Sequence, residues 1–473
     1  RSDVGRSLRK SCQNQGHTFS EKICLKVPHI LIISILFLSL GQIRNKTLYM
    51  ERFTGLIGII LIFAIAYLMS NNRKAINYRL VFSGLAIQIT LALFILKVPI
   101  GKEIFVWLGN AVTKVVGFSS VGAEFVFGVL VKKELLDKAF GPGNNFIFFF
   151  EVVPTIIFVA ALVSAAYYLG IMQRIVKLFA FVVYKIMGAS GSEAVSNVAS
   201  AFVGQIEAQI MIKPFLRGMT MSELLASMTG SLACLSGAIM AVYIALGVPA
   251  EYLIAASIMA APGALVISKI VWPETEISET KEKVSLEIKE TNANMIDAIA
   301  HGAGEGLKIG MNVLAMLIGF IAIIALLDYV LGKVGLGLGN LGLSLAFIGI
   351  DINTLSLNQI LGALFSVFAR VMGVPLQDIH VAGSLMGTKM VLNEFVAYLD
   401  LTKIKDVIHP KTLAIVSFAL CGFANFGSVA MLIGGVGELA PERRTDLAKL
   451  GIKALICGTL ASYLSATIAG ILI

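Results

Sequence analysis

Eight stretches of this chain carry no Asp, Glu, Lys or Arg: 54–72, 80–96, 152–170, 224–250, 252–268, 309–327, 412–437 and 454–473. As helices, each is long enough to cross about 30 Å of hydrocarbon. A segment in lipid must satisfy its backbone N–H and C=O groups internally, so the expected fold class is an all-α polytopic membrane protein with eight transmembrane helices. Composition agrees: 14% of residues are charged, roughly half the ~25% of a soluble domain. The 57% hydrophobic content excludes disorder, and five scattered cysteines without a CxxC pair exclude a disulfide scaffold.

The net charge of +9 is unevenly spread. Residues 1–49 hold eight Lys/Arg against two Asp/Glu, leaving 30 against 27 in the rest, so no clustered basic surface points to nucleic acid. Residues 1–49 read as an N-terminal extension outside the core, since Met50-Glu-Arg-Phe-Thr looks like a start just before the first span. An extra anchor is the second reading, and a cleaved signal peptide fits least. Short loops rich in Lys/Arg (Arg73, Lys74, Arg79; Arg174, Lys177, Lys185; Arg443, Arg444, Lys449) are expected on the cytoplasmic side. That threading puts the mixed-charge loop 273–294 inside and Ile473 outside.

Two apolar segments carry polar groups that a simple span would not. Residues 186–217 contain Glu193, Gln205 and Glu207, and residues 374–400 contain His380, Lys389, Asn393 and Glu394. Ionisable groups at membrane depth are costly unless they face protein or a wet cavity, and re-entrant hairpins would put them there. After each comes a span broken by small and polar residues, at Cys234-Leu-Ser-Gly237 and at Cys421-Gly-Phe-Ala-Asn-Phe-Gly-Ser428, and then a continuous one. Hairpin, broken helix, continuous helix therefore occurs twice. Interrupted spans at matching places in two halves point to a secondary transporter with inverted repeats and a midplane site. The expected division is 50–170 scaffold helices, 171–271 first repeat, 272–305 charged loop, 306–373 scaffold helix and amphipathic segments, and 374–473 second repeat.

Glu207 and Glu394 are the strongest candidates for chemistry, each with a polar neighbour, Gln205 or Asn393; the bland alternative is a helix end near the interface. Asn425 and Ser428 share a helical face beside Gly422 and Gly427, which permit unwinding; they could equally bond neighbouring helices. Glu193 stays open between a cap or interface role and function. Enzyme signals are poor. Gly337-Leu-Gly-Asn-Leu-Gly342 matches GxGxxG with no strand before it, Gly383–Lys389 has the wrong spacing for a phosphate loop, and no metal-ligand or cofactor motif is present.

At this point the residues resemble a family. Gly204-Gln-Ile-Glu-Ala208, Met219-Thr-Met-Ser-Glu223, Ala260-Ala-Pro262, Pro273-Glu-Thr-Glu276, Asn393-Glu-Phe-Val-Ala397 and Ala419-Leu-Cys-Gly-Phe-Ala-Asn425, in this order, are similar to the concentrative nucleoside transporters. The likeness runs from about Met50 to Ile473. It implies a homotrimer in the bacterial inner membrane, each protomer with eight spans, two re-entrant hairpins and its own nucleoside site, importing nucleosides with a cation by alternating access. It implies Gln205 and Glu207 on the nucleobase, with packing from Ile239 and Phe423, and Glu394, Asn425 and Ser428 on the ribose hydroxyls. A bare base would leave Glu394 unpaired.

The chain departs from the family pattern in three places. Ile206 replaces a Thr, Ser200 replaces the Asn of sodium-coupled members, and Cys234 replaces a Ser or Thr. Sodium favours oxygen ligands, so these exchanges favour proton coupling, although the carbonyls of Val203, Cys234 and Leu235 could still hold sodium and Asn197 lies one turn before Ser200. Two other classes compete: a solute channel of the same topology, and an intramembrane enzyme using Glu207 and Glu394 as acid and base.

Overall fold

The computed structural model describes residues 54–141, 147–281, 292–342, 345 and 350–473. The expectation for residues 1–49 lies outside the described residues, as does much of the charged loop. Among the described residues every regular element is helical, apart from one isolated bridge between Leu345 and Ile350.

The chain opens with α1 (Thr54–Leu68), α2 (Tyr78–Leu96), α3 (Pro99–Gly117), α4 (Ser119–Phe127), α5 (Lys133–Phe140), α6 (Phe148–Tyr168) and α7 (Ile171–Met187). A helix–turn–helix pair follows, α8 (Gly191–Ser200) and α9 (Glu207–Met211). Next come two half-helices, α10 (Met221–Ala233) and α11 (Gly237–Ala245), and the continuous α12 (Ala250–Val271). After α13 (Met295–Asn340) and α14 (Leu357–Val371) the order repeats: the pair α15 (Ile379–Val391) and α16 (Glu394–Ile404), the half-helices α17 (Pro410–Leu420) and α18 (Phe426–Leu439), and the continuous α19 (Arg444–Leu472).

Local chemistry explains the breaks. Cys234 and Ser236 are both extended, at ψ 162° and 148°, and the Ser236 side chain accepts from the Ile239 N–H to start α11. In the second half Gly422 takes φ 125°, a region L side chains avoid, and a Cβ there would lie 2.4 Å from the Ala233 carbonyl oxygen. Asn425 then caps α18, its Oδ1 accepting from the Ser428 N–H at 2.7 Å. The starts of α8 and α10 are capping boxes, Ser190 with Glu193 and Thr220 with Glu223.

Seven helical stretches are long and apolar enough to cross a membrane among the described residues. Six of them overlap one of the eight uncharged runs each. The seventh, Pro99–Phe140, was not expected, because Lys102, Glu103 and Lys114 interrupt it; all three are exposed on the outer face of α3. Run 54–72 forms the shorter α1, and run 412–437 is divided between α17 and α18.

The repeats form the interior: the apolar windows of α12 and α19 are 89% and 83% buried, whereas those of Pro99–Phe140 and α13 are 11% buried and leave apolar faces open. Gln88 of α2, itself fully buried, donates to the Met259 carbonyl of α12 at 2.9 Å and to Ser465 of α19 at 3.2 Å. Helix α13 lies on α6 along Gly302, Gly306 and Gly310, where a Cβ would come within 2.5 Å of Ser164, 2.7 Å of Ile157 and 2.9 Å of Val153. This small-xxx-small seam lets the two backbones approach closely, and Ser164 adds a 2.7 Å bond to the Ala298 carbonyl.

Candidate functional site

Asn393 has an extended backbone, and its side chain accepts from the Val396 N–H at 2.9 Å, which turns Glu394 into the first residue of α16. The Glu394 carboxylate is 5% exposed. One oxygen accepts from the Tyr243 hydroxyl at 3.1 Å and the other from the Asn425 amide at 3.0 Å. Asn425 thus has both ends committed, its oxygen to the Ser428 backbone and its nitrogen to Glu394. The structure therefore unites Glu394, Asn425 and Ser428, all buried, at the second break. Tyr243 reaches them from α11 of the other repeat and stacks on Tyr398 at 4.3 Å and Phe395 at 5.6 Å between ring centroids. Sequence reading missed Tyr243; the only signal was a phenol within an apolar half-helix. A buried carboxylate held by two donors keeps lone pairs for further hydroxyl groups.

The tip of the first pair sits against the first break, where the Gly237 N–H donates to the Phe202 carbonyl at 3.1 Å. Gln205 is half-buried; its carbonyl accepts from Ser231 at 3.1 Å, while its side-chain oxygen is enclosed without a partner. Glu207 folds back over Gly204, its carboxylate filling the space a Cβ there would take. No hydrogen bond or ion pair joins Glu207 to Glu394 among the described residues. Ile239 is 8% exposed and Phe423 half-buried, each beside its own break.

The remaining candidates separate into two places. Ser200 donates to the Ser196 carbonyl at 2.8 Å and faces the Ser231 hydroxyl at 3.3 Å. It borders an unforeseen hydroxyl network in which Gln209, 1% exposed, bonds Ser196 at 3.0 Å, Ser231 at 2.8 Å and Ser227 at 2.7 Å. Asn197 is tied to the Glu193 and Ala226 carbonyls. The Cys234 thiol instead points to the Ser257 carbonyl of α12, 4.0 Å away, and the Ser257 hydroxyl lies 3.5 Å from the Cys421 thiol, so the two breaks meet at one residue. Val203 and Leu235 are buried backbone neighbours of these groups. Glu193 has a cap role: it accepts from the Ser190 N–H at 2.7 Å and pairs with Lys269 at 2.7 Å, both groups nearly solvent-free.

Comparisons with known proteins cover the same span. Residues 57–130 and 252–470 match the N- and C-terminal models of the Na+ dependent nucleoside transporter, and residues 149–250 match a nucleoside recognition gate. The chain is 42% identical to an uncharacterized transporter of Haemophilus influenzae, covering 90% of this chain and 98% of the other. It is 40% identical to the nucleoside permease NupC of Helicobacter pylori, covering 89% and 97%. A solved inward-facing, substrate-bound structure of CNTnw superposes with a TM-score of 0.82 at 41% identity, covering 89% of this chain and 98% of that one. With two hairpin-like pairs, two broken helices and a buried carboxylate at the second break, the chain is an integral membrane protein of the concentrative nucleoside transporter family, whose members are transporters and not enzymes.

Proposed function

We propose that this protein imports nucleosides together with protons by alternating access, as a homotrimer in a bacterial inner membrane, with eight spans and two re-entrant hairpins per protomer and Ile473 outside. The observation that carries the substrate reading is the carboxylate of Glu394, buried and oriented by Tyr243 and Asn425. Such a group suits the vicinal hydroxyls of ribose, with Ser428 beside it. Gln205 and Glu207 at the first tip take the base edge, and Ile239 and Phe423 pack on its faces.

Coupling to protons rather than sodium is supported by the first break. The Cys234 thiol is turned toward Ser257, and the Ser200 hydroxyl already has a carbonyl partner. That leaves the carbonyls of Val203, Cys234 and Leu235 as the oxygens for a hard cation. Uptake of labelled uridine into proteoliposomes tests this directly. Accumulation against the uridine gradient is expected with an inward proton gradient alone; accumulation only with sodium would overturn proton coupling, and equilibration without accumulation would identify a channel.

A further inference from the structure

Ser196 on α8, Gln209 on α9, and Ser227 and Ser231 on α10 are each at most 1% exposed. Polar side chains buried this deeply are costly unless their protons find acceptors, and here the protons can be followed one by one. The Gln209 amide oxygen can only accept, so the Ser227 hydroxyl, 2.7 Å away, gives its proton there. Ser196, 2.6 Å from Ser227, is then the donor of that pair. The Gln209 NH2 supplies Ser196 at 3.0 Å and Ser231 at 2.8 Å. From the amide to Ser196, to Ser227 and back to the amide, the bonds close a ring in which they all run the same way round.

One bond leaves the ring. Ser231, having accepted from Gln209, gives its own proton to the main-chain carbonyl of Gln205 at 3.1 Å. Among the described residues Ser231 is the donor this carbonyl has. Residues 201–206, between α8 and α9, form no regular element, so no helix fixes the Gln205 backbone. Reversing the Gln209 amide would put its oxygen 2.8 Å from Ser231, whose single proton could serve that oxygen or the Gln205 carbonyl and not both. The orientation of one buried amide thus decides whether the first tip is held. With every proton committed, the ring has none to pass on, and its part is positional.

We propose that Gln209 and Ser231 are positioning residues for base recognition: the Gln209 ring directs the Ser231 proton, and Ser231 holds the backbone from which the Gln205 side chain meets the nucleobase. The inference deepens the reading of Gln205 as a base contact and rests on it. The two halves of the site then have different supports. On the ribose half, Tyr243 and Asn425 bond the Glu394 carboxylate itself. On the base half, the support acts on the main chain, one step behind the contacting group. Recognition of the base and recognition of the ribose are therefore separable by mutation.

The test is calorimetric binding of three nucleosides to the purified full chain: uridine, 3-methyluridine, in which a methyl replaces the N3–H of the base, and 2′,3′-dideoxyuridine. In wild type 3-methyluridine is expected to bind at least about tenfold more weakly than uridine. Ser231→Ala is expected to lower that base ratio by about three- to tenfold, with the dideoxyuridine-to-uridine ratio staying within about twofold of wild type. Gln209→Met keeps an unbranched side chain of similar size and removes the amide; the same change is expected, and it decides by the same ratios if Ser231→Ala fails to fold. An unchanged base ratio in these variants, or both ratios falling together, overturns the proposal. Gln205→Ala separates this from failure of the reading beneath it. A base ratio near 1 in wild type, or one that Gln205→Ala leaves unchanged, overturns the base assignment of Gln205 and the proposal with it. A ratio that responds to Gln205→Ala and not to Ser231→Ala overturns the proposal alone.

Discussion

Replacing Tyr243 by Phe removes one oxygen from the candidate site and little else. The ring stays stacked between Tyr398 and Phe395, so the fold of α11 is expected to persist. What goes is the 3.1 Å bond to Glu394, made between two groups that are 0% and 5% exposed. A hydrogen bond to a charged group contributes about 1.5–3 kcal/mol, and 1.4 kcal/mol is tenfold in affinity. Asn425 still holds the other carboxylate oxygen at 3.0 Å, which places the effect at the lower end: about 10–30-fold weaker uridine binding. The assay is calorimetric binding of uridine and of 2′,3′-dideoxyuridine to the purified protein. The dideoxy compound has no vicinal hydroxyls for Glu394 to accept from, so its affinity is expected to fall less than about threefold. In the Glu394→Gln background the same replacement is expected to change uridine binding far less than in wild type, because the two residues share one interaction. An equal loss for both nucleosides, or additive losses in the double variant, would refute the idea that Tyr243 acts by orienting the carboxylate.

Two further outcomes follow from the packing. Lys269→Met strips Glu193 of its ion pair at 2.7 Å and Ser222 of a donor at 2.9 Å; thermal unfolding in detergent is expected to report a loss of about 3–5 kcal/mol. Glu193→Gln added to it removes the stranded charge and restores part of that stability; a single variant as stable as wild type would contradict the buried pair. Gly422→Ala puts a methyl 2.4 Å from the Ala233 carbonyl oxygen at φ 125°. A lowered melting temperature, equivalent to at least about 1–3 kcal/mol, is expected together with weakened uridine binding, and an unchanged melting curve would count against the strained break.

The order of elements was legible in the sequence because polar and small residues interrupt the apolar runs at Cys234 and Cys421. The second-break site was legible for the same reason, since Asn425 and Ser428 are a cap and its partner, three residues apart. Pro99–Phe140 was not, because an amphipathic helix can carry Lys102, Glu103 and Lys114 on its exposed face. Tyr243 takes its meaning from a partner 151 residues away. Glu207 and Glu394 stand out in the sequence as the two strongest candidates, yet no hydrogen bond or ion pair joins them among the described residues, and which elements each would face is not written in their spacing.

The glycine seam between α13 and α6 behaves as a keyed joint. Shifting α13 along its axis by one residue would bring Ala303, Leu307 and Met311 to places where even a methyl group already collides. Even a jump of four residues, about 6 Å, would restore glycine at only two of the three places, with Leu314 or Ala298 at the third, and intermediate positions would force the helices apart. The pair is thus a fixed post that resists sliding.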